Sequence, residues 1–346
     1  MNGPSQAARA AYHHRMQHTP LPWRTAGLTL IAMLAFAGNS LLCRQALRHT
    51  PIDAASFTSL RLVSGALVLA LLVALRARAA APVGGTAAAL AAPAGPAGPA
   101  ASAASAASAA SAASAAPVAP AALAAPTSNR LAGDWPSALA LFVYAAGFSM
   151  AYVSLSAATG ALLLFGVVQT TMIGWGLWRG ERLRPLQWLG LATASAGLVA
   201  LLLPGLATPS LRSGALMAAA GVAWAVYSLR GRTARDATAV TAGNFLRAAP
   251  LALALSLLLW PQARWDSSGA ALALASGALA SGLGYAVWYT ALRGLSATRA
   301  AVVQLAVPAL AAAGGALLLG EPLTAPLLLA SIAVLGGVAL VIRGRV

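Results

Sequence analysis

Ten apolar windows, each long enough to cross a bilayer as a helix, dominate this chain. Crossing about 30 Å of hydrocarbon takes roughly 20 residues of α-helix. Such windows run near 26–46, 55–75, 135–155, 159–178, 185–204, 211–229, 239–260, 269–291, 297–319 and 323–342. The runs are continuous, not alternating, so helices are expected in preference to a barrel. Only 8% of the 346 residues are charged and 60% are hydrophobic. A soluble domain carries roughly 25% charged residues, so lipid must solvate most of this chain's surface.

The net charge is +16, which raises nucleic acid as a partner. Placement argues against it. All 22 basic residues are Arg, set singly or in small clusters between apolar runs. With the N-terminus inside, the inside segments hold 16 of them: Arg9, Arg15, Arg24, Arg76, Arg78, Arg130, Arg179, Arg182, Arg184, Arg230, Arg232, Arg235, Arg293, Arg299, Arg343 and Arg345. The outside segments hold 4: Arg44, Arg48, Arg212 and Arg264. That bias fits ten spans with both termini cytoplasmic. The first apolar run follows a polar, basic stretch and is about 20 residues long, so it reads as an uncleaved first span, not a signal peptide.

Residues 79–129 differ. They are mostly Ala, Pro, Gly and Ser, without a charge between Arg78 and Arg130. The segment reads as a low-complexity, mostly disordered cytosolic insertion.

The chain also repeats itself. Residues 151–202 and 291–342 align without a gap, with 13 of 52 positions identical. Leu155-Ser156-Ala157 matches Leu295-Ser296-Ala297, and Gly180-Glu181 matches Gly320-Glu321. The front parts match more faintly, with Leu60-Arg61 against Leu246-Arg247. Each unit holds five helices, an odd number, so the second enters the membrane from the opposite side. Inverted repeats of spanning helices are a mark of secondary transporters.

These residues resemble the EamA family of the drug/metabolite transporter superfamily. The carrying segments are Trp178-Arg179-Gly180-Glu181-Arg182-Leu183 leading to Gly197, and Leu319-Gly320-Glu321-Pro322-Leu323 leading to Gly336-Gly337, with Pro308 in the ninth helix. The resemblance implies ten helices, a central substrate cavity, and export of amino acids or other small metabolites. Two features depart from the pattern: Val168 stands where the repeat partner has Pro308, which puts a bend in the fourth helix in question, and the insertion at 79–129 is unusual.

No acid falls mid-membrane: Asp53, Asp134, Glu181, Asp236, Asp266 and Glu321 all lie near helix ends. An intramembrane carboxylate proton relay is therefore disfavoured. Glu181 and Glu321 are expected to cap the helices that follow them. Arg61 and Arg247 are the intramembrane cations. Each either binds an anionic substrate or gate, or is a structural arginine snorkelling to the interface. The candidate cavity residues are Asn39, Tyr152, Gln169, Trp224, Tyr227, Tyr285, Trp288, Tyr289 and Gln304, with Arg61 and Arg247. Amides and rings can hold a zwitterion or a flat organic molecule. The same residue types also serve as interhelical hydrogen bonds or interfacial anchors. The lone Cys43 excludes an internal disulfide, and His13, His14 and His18 belong to a polar tail.

The expected fold is all-α integral membrane, ten transmembrane helices as two inverted five-helix repeats. Residues 1–25 form a cytosolic tail, 26–204 the first repeat with the 79–129 insertion, and 211–343 the second. The expected activity is a secondary transporter exporting amino acids or similar small polar metabolites by alternating access. Uptake, or flipping of a lipid-linked sugar, is open to the same fold. A membrane enzyme is disfavoured, because no His, Asp, Glu or Cys cluster marks one membrane face. The expected partners are a small-molecule substrate and the bilayer, with no nucleic acid, cofactor or metal; a homodimer is left open. The expected location is a bacterial inner membrane, multi-pass.

Overall fold

A computed structural model describes residues 23–80, 132–180, 182–202, 210–231, 234–295 and 303–343. The chain divides into two compact units, one of residues 1–73 with 130–346 and one of residues 74–129. Of the second unit only the last residues of the second helix are described. Most of the tail, residues 81–129 of the insertion, and Glu181 lie outside the described residues.

Helices are the only regular secondary structure among the described residues. The helices are α1 (Trp23–His49), α2 (Ala54–Ala80), α3 (Trp135–Tyr152), α4 (Ala157–Trp178), α5 (Pro185–Leu202), α6 (Leu211–Gly231), α7 (Ala237–Leu258), α8 (Ser267–Leu292), α9 (Ala306–Leu319) and α10 (Ala325–Arg343). A 3₁₀ turn, Trp260–Gln262, follows α7, and Ser276–Leu283 inside α8 is π-helical. Five helices, α1, α2, α4, α7 and α8, are long and apolar enough to cross a membrane on length and composition. The outward faces carry leucine and isoleucine, among them Leu30, Ile31, Leu67, Leu71, Leu189 and Leu257. Exposed tryptophans sit at or beside helix ends: Trp23, Trp135, Trp178, Trp260 and Trp265. That is the pattern of a lipid-facing surface with aromatic anchors at the interface.

Two boundaries differ from expectation. Helix α2 continues through Ala80, two residues into the expected insertion, and α1 begins three residues before the expected end of the tail. Of the expected ninth helix, residues 297–302 lie outside the described residues. Residues 303–304 are helical, a turn follows at Leu305, and Pro308 then falls in the first turn of α9. A proline in a helix interior removes a hydrogen bond and clashes with the carbonyl four residues back. The break at Leu305 relieves both. Helix α4 carries Val168 at the equivalent place and runs unbroken.

Helix starts are fixed locally by caps. Asp53 accepts from the amides of Ala55 and Ser56 (2.9 Å each), Asp134 from Ser137 (2.9 Å), Asp236 from Thr238 and Ala239 (3.1 Å each), and Asp266 from Gly269 (2.6 Å). The four aspartates are thus committed to the first turns of α2, α3, α7 and α8, where backbone N–H groups lack helical partners. Asp53 also joins two connections: its Oδ2 accepts from the Arg264 amide at 3.0 Å, and its own amide donates to the Arg264 carbonyl at 3.2 Å. Burial opposes ionisation of Asp53, but the amides of Ser56, Arg264 and Ala55 outweigh it and hold the carboxyl below its usual range. A carboxylate depressed in the folded state stabilises it fully above the unfolded pKa, and that contribution is lost as pH falls through the folded value. Acidification below about pH 4 is therefore expected to lower the thermal midpoint. Asp53→Asn should flatten part of that decline at little cost to the cap, since Asn caps a helix about as well as Asp, and should lose mainly the bond from the Arg264 amide. Circular dichroism melts of the detergent-solubilised protein across pH check both.

The packing pairs are α3 with α6 and α7, α4 with α6 and α9, α1 with α8 and α9, and α5 with α10. Helix α2 meets α8 through Ser64, whose hydroxyl donates to the Leu274 carbonyl at 3.4 Å, and through the close approach of Gly277 to Arg61. The connections gather at two ends. The α1–α2 and α7–α8 connections meet through Asp53 and Arg264. Toward the opposite end of α7, Asp134 at the start of α3 pairs with Arg230 at the end of α6 (2.9 Å), and the Asp134 amide donates to the Asn244 side-chain Oδ1 (3.0 Å).

Candidate functional site

A buried ion pair closes one end of the bundle. Both glycines of the repeated Gly-Glu boxes, Gly180 (φ 90°) and Gly320 (φ 63°), adopt the left-handed conformation that ends a helix at low cost only for glycine. After Gly320 the Glu321 amide returns to the Gly315 carbonyl at 3.0 Å, closing the end of α9. That turn points the Glu321 side chain away from α10. Its Oε1 accepts from Arg44 Nε at 2.8 Å, and its Oε2 accepts from the Ala157 amide at 2.7 Å. Glu321 therefore caps α4 of the other half, not the helix that follows it. Arg44 Nη1 donates to the Tyr152 and Val153 carbonyls at 3.0 and 3.2 Å, satisfying the open end of α3. One pair thus ties together α1, the end of α3, the start of α4 and the α9–α10 turn. Both side chains are nearly buried, at 11% and 12% exposure.

Inward of this closure lies a cavity of about 20 Å³. That volume admits about one water molecule, so an organic solute enters only if the helices or rings move. From α1 come Phe36, Asn39 and Ser40; from α3, Tyr144 and Phe148; from α4, Leu164 and Phe165; from α6, Trp224; from α8, Ala280 and Tyr285. The rings form a continuous chain: Trp224 lies 4.7 Å from Tyr144 and 5.2 Å from Tyr285, and Phe36 lies 5.9 Å from Tyr285. The polar contacts are few. Asn39 Nδ2 reaches the Tyr144 hydroxyl at 3.5 Å, and its Oδ1 accepts from the Ser276 hydroxyl at 2.7 Å.

Behind two of those rings stands Arg61, only 1% exposed and the largest fully buried side chain described. It lies seven residues into α2, about 10 Å along the helix axis, and does not snorkel. Its Nε donates to the Ser281 hydroxyl and its Nη2 to the Tyr144 hydroxyl, both at 3.2 Å. The guanidinium carbon sits 5.3 Å from the Tyr144 ring centre and 4.9 Å from that of Phe148. Nη1 is buried and has no hydrogen-bond partner among the described residues. Leaving such a donor unmet costs about 1–3 kcal/mol, more for a charged group. The π-helical segment of α8 supplies Ser281, its sixth residue, to Arg61 and Ser276, its first, to Asn39. Such segments inside α-helices frequently occur at functional sites.

Of the residues expected at a cavity, Asn39, Trp224 and Tyr285 line it and Arg61 adjoins it. Tyr152, Gln169, Tyr227 and Trp288 are buried outside the lining. Tyr289 and Gln304 are partly buried and also outside it. Arg247 is elsewhere: its Nη1 donates to the Ala132 carbonyl at 3.2 Å and the Gly243 carbonyl at 2.9 Å, fastening the approach to α3 onto α7. Sequence reasoning passed over Phe36, Tyr144, Phe148, Ser281 and Arg44. For Tyr144 and Phe148 a signal existed: with Tyr152 they stand four residues apart on one face of α3.

A family model described as the EamA-like transporter family matches residues 212–343. A Pseudomonas aeruginosa protein, named Uncharacterized protein PA1977, is 51% identical over 322 residues, which cover 93% of this chain and 96% of that protein. A solved structure described as "Crystal structure of protein" matches with a TM-score of 0.56 at 20% identity, covering 92% of this chain and 99% of that one. At that identity the likeness concerns the fold alone.

Proposed function

This chain belongs to the EamA-like transporter family, and from that premise we propose that it is a secondary transporter that exports a small polar metabolite, an amino acid or similar solute, by alternating access. It is a multi-pass membrane protein. In this reading all ten helices span a bacterial inner membrane as two inverted five-helix repeats, with both termini cytoplasmic. The packing supports the repeat. Shifting each helix by five carries the α3–α6 contact onto α8–α1, α4–α6 onto α9–α1, and α3–α7 onto α8–α2, while α5–α10 and α4–α9 map onto themselves.

The observation that carries the transport reading is the small aromatic cavity among α1, α3, α4, α6 and α8, closed on one side by Arg44 and Glu321. By the arginine count that closed side is the outside. In an exporter a cavity sealed outward is the one that loads from the cytoplasm. Breaking the pair and parting the helices it ties together would release the solute outward. Counterflow of labelled amino acids and organic acids in proteoliposomes of the full-length protein tests this, with saturable exchange expected. Failure of the folded protein to move any of them sinks the reading. A C-terminal green fluorescent protein fusion should fluoresce, reporting a cytoplasmic end; a dark fusion with an active C-terminal alkaline phosphatase would reverse the topology.

A further inference from the structure

We infer that the cavity is built for an organic monoanion, a carboxylate on an apolar or planar body, and that Arg61 is the group that receives it. This rests on the transport reading and replaces the amino acid named there, a zwitterion, with an organic monoanion.

Three observations converge. First, Arg61 is a fully buried cation whose Nη1 has no hydrogen-bond partner among the described residues, while Nε and Nη2 are held only by neutral hydroxyls. No carboxylate among the described residues pairs with it. Buried charges are ordinarily paired, and a guanidinium recognises a carboxylate through two parallel N–H donors. Second, the lining is dominated by rings, with Asn39 and Ser40 as its polar side chains apart from the tyrosine hydroxyls and the Trp224 indole N–H. An apolar body suits those walls. A second negative charge would lie unpaired among them. Third, nothing described can answer an ammonium group with a charge. Both oxygens of Glu321 are taken by Arg44 and the Ala157 amide, and the four aspartates are spent on helix starts. A zwitterion would pair its carboxylate and bury its ammonium against rings and amides; a monoanion leaves nothing unpaired.

The recognition step follows from the contacts. Tyr144 both lines the cavity and holds Arg61, its hydroxyl accepting from Nη2 at 3.2 Å. When the ring swings aside to admit solute, Nη2 is freed beside Nη1. The two donors then face one carboxylate, which replaces the hydroxyl as acceptor.

The test is isothermal titration of the full-length protein in detergent with three probes that share a phenyl ring and short chain: 3-phenylpropionate, phenylalanine and phenethylamine. Phenylpropionate is expected to bind at least tenfold more tightly than phenylalanine, and phenethylamine not to bind. Arg61→Gln, with its fold checked by circular dichroism, should abolish that preference, and Arg61→Lys should keep the preference at reduced affinity. The wild-type comparison stands even if a variant fails to fold. Equal or tighter binding of phenylalanine or phenethylamine, no binding of any probe, retention of the preference by folded Arg61→Gln, or chloride competing as strongly as phenylpropionate would each overturn the inference. Counterflow separates it from the broader reading. A protein that exchanges zwitterions or cations keeps the transporter and loses the anion site, whereas one that binds phenylpropionate and moves no solute does the reverse.

Discussion

Glu321→Ala is expected to destabilise the protein by about 3–5 kcal/mol, the range for breaking one partner out of a buried ion pair, and to abolish coupled exchange. The substitution leaves Arg44 nearly buried with only the Tyr152 and Val153 carbonyls to hold it, and it strips the first amide of α4 of its acceptor. Loss of the cap alone is worth about 1 kcal/mol; the larger share comes from the uncompensated charge. Glu321→Gln should cost less, because the amide oxygen can still accept from Ala157 or Arg44. The informative experiment is the double-mutant cycle with Arg44→Met, read by denaturation in detergent. Each single variant strands a group that the other holds. The pair removed together should therefore cost less than the sum of the singles by at least about 1 kcal/mol. Additive losses would mean that Arg44 and Glu321 do not share one interaction. The double variant also separates stability from function. If the ion pair is the outer closure, a folded double variant leaks or loses exchange although its fold survives.

Much of the fold was legible because its causes are local. Asp134, Ser156, Asp236 and Asp266 each set the start of the helix that follows, and those starts fall within two residues of the sequence expectation. Within the expected ninth span a turn at Leu305 precedes Pro308, a break that composition cannot show because it counts Pro308 as one more apolar residue. The site was less legible. Helices that are apolar on every side give no stripe to say which face looks inward, so Gln169 and Tyr152 could not be sorted from Asn39 and Tyr285 by position alone. Arg44 was counted as a topological charge, since its partner lies 277 residues away and no spacing rule links them. Arg61 could be singled out from its depth. That it is buried behind two rings, and not turned to the interface, depends on α3 and α8 arriving beside α2.

Gly277→Ala is expected to have the second large effect, through a single added carbon. Gly277 lies in the π-helical part of α8, where a Cβ would overlap the Arg61 carbonyl and the Ser64 hydroxyl of α2. A flexible side chain could yield, but a helix carbonyl cannot move without its helix. Overpacking of this kind costs about 1–3 kcal/mol, and here the strain falls on the backbone of the residue that carries the buried cation. Separating α2 from α8 would also stretch the bond from Arg61 Nε to Ser281. The variant should therefore melt lower and, where it folds, lose affinity for whatever solute the wild-type protein exchanges. Gly174→Ala is the control, since among the described residues no atom beyond its own helix backbone and chain neighbours stands within 4 Å of its Cβ position in α4. It should be neutral or gain up to about 1 kcal/mol from helix propensity. A Gly277→Ala protein as stable as Gly174→Ala would show that α2 and α8 do not approach this closely. The cation would then lack the support on which both its burial and its proposed role depend.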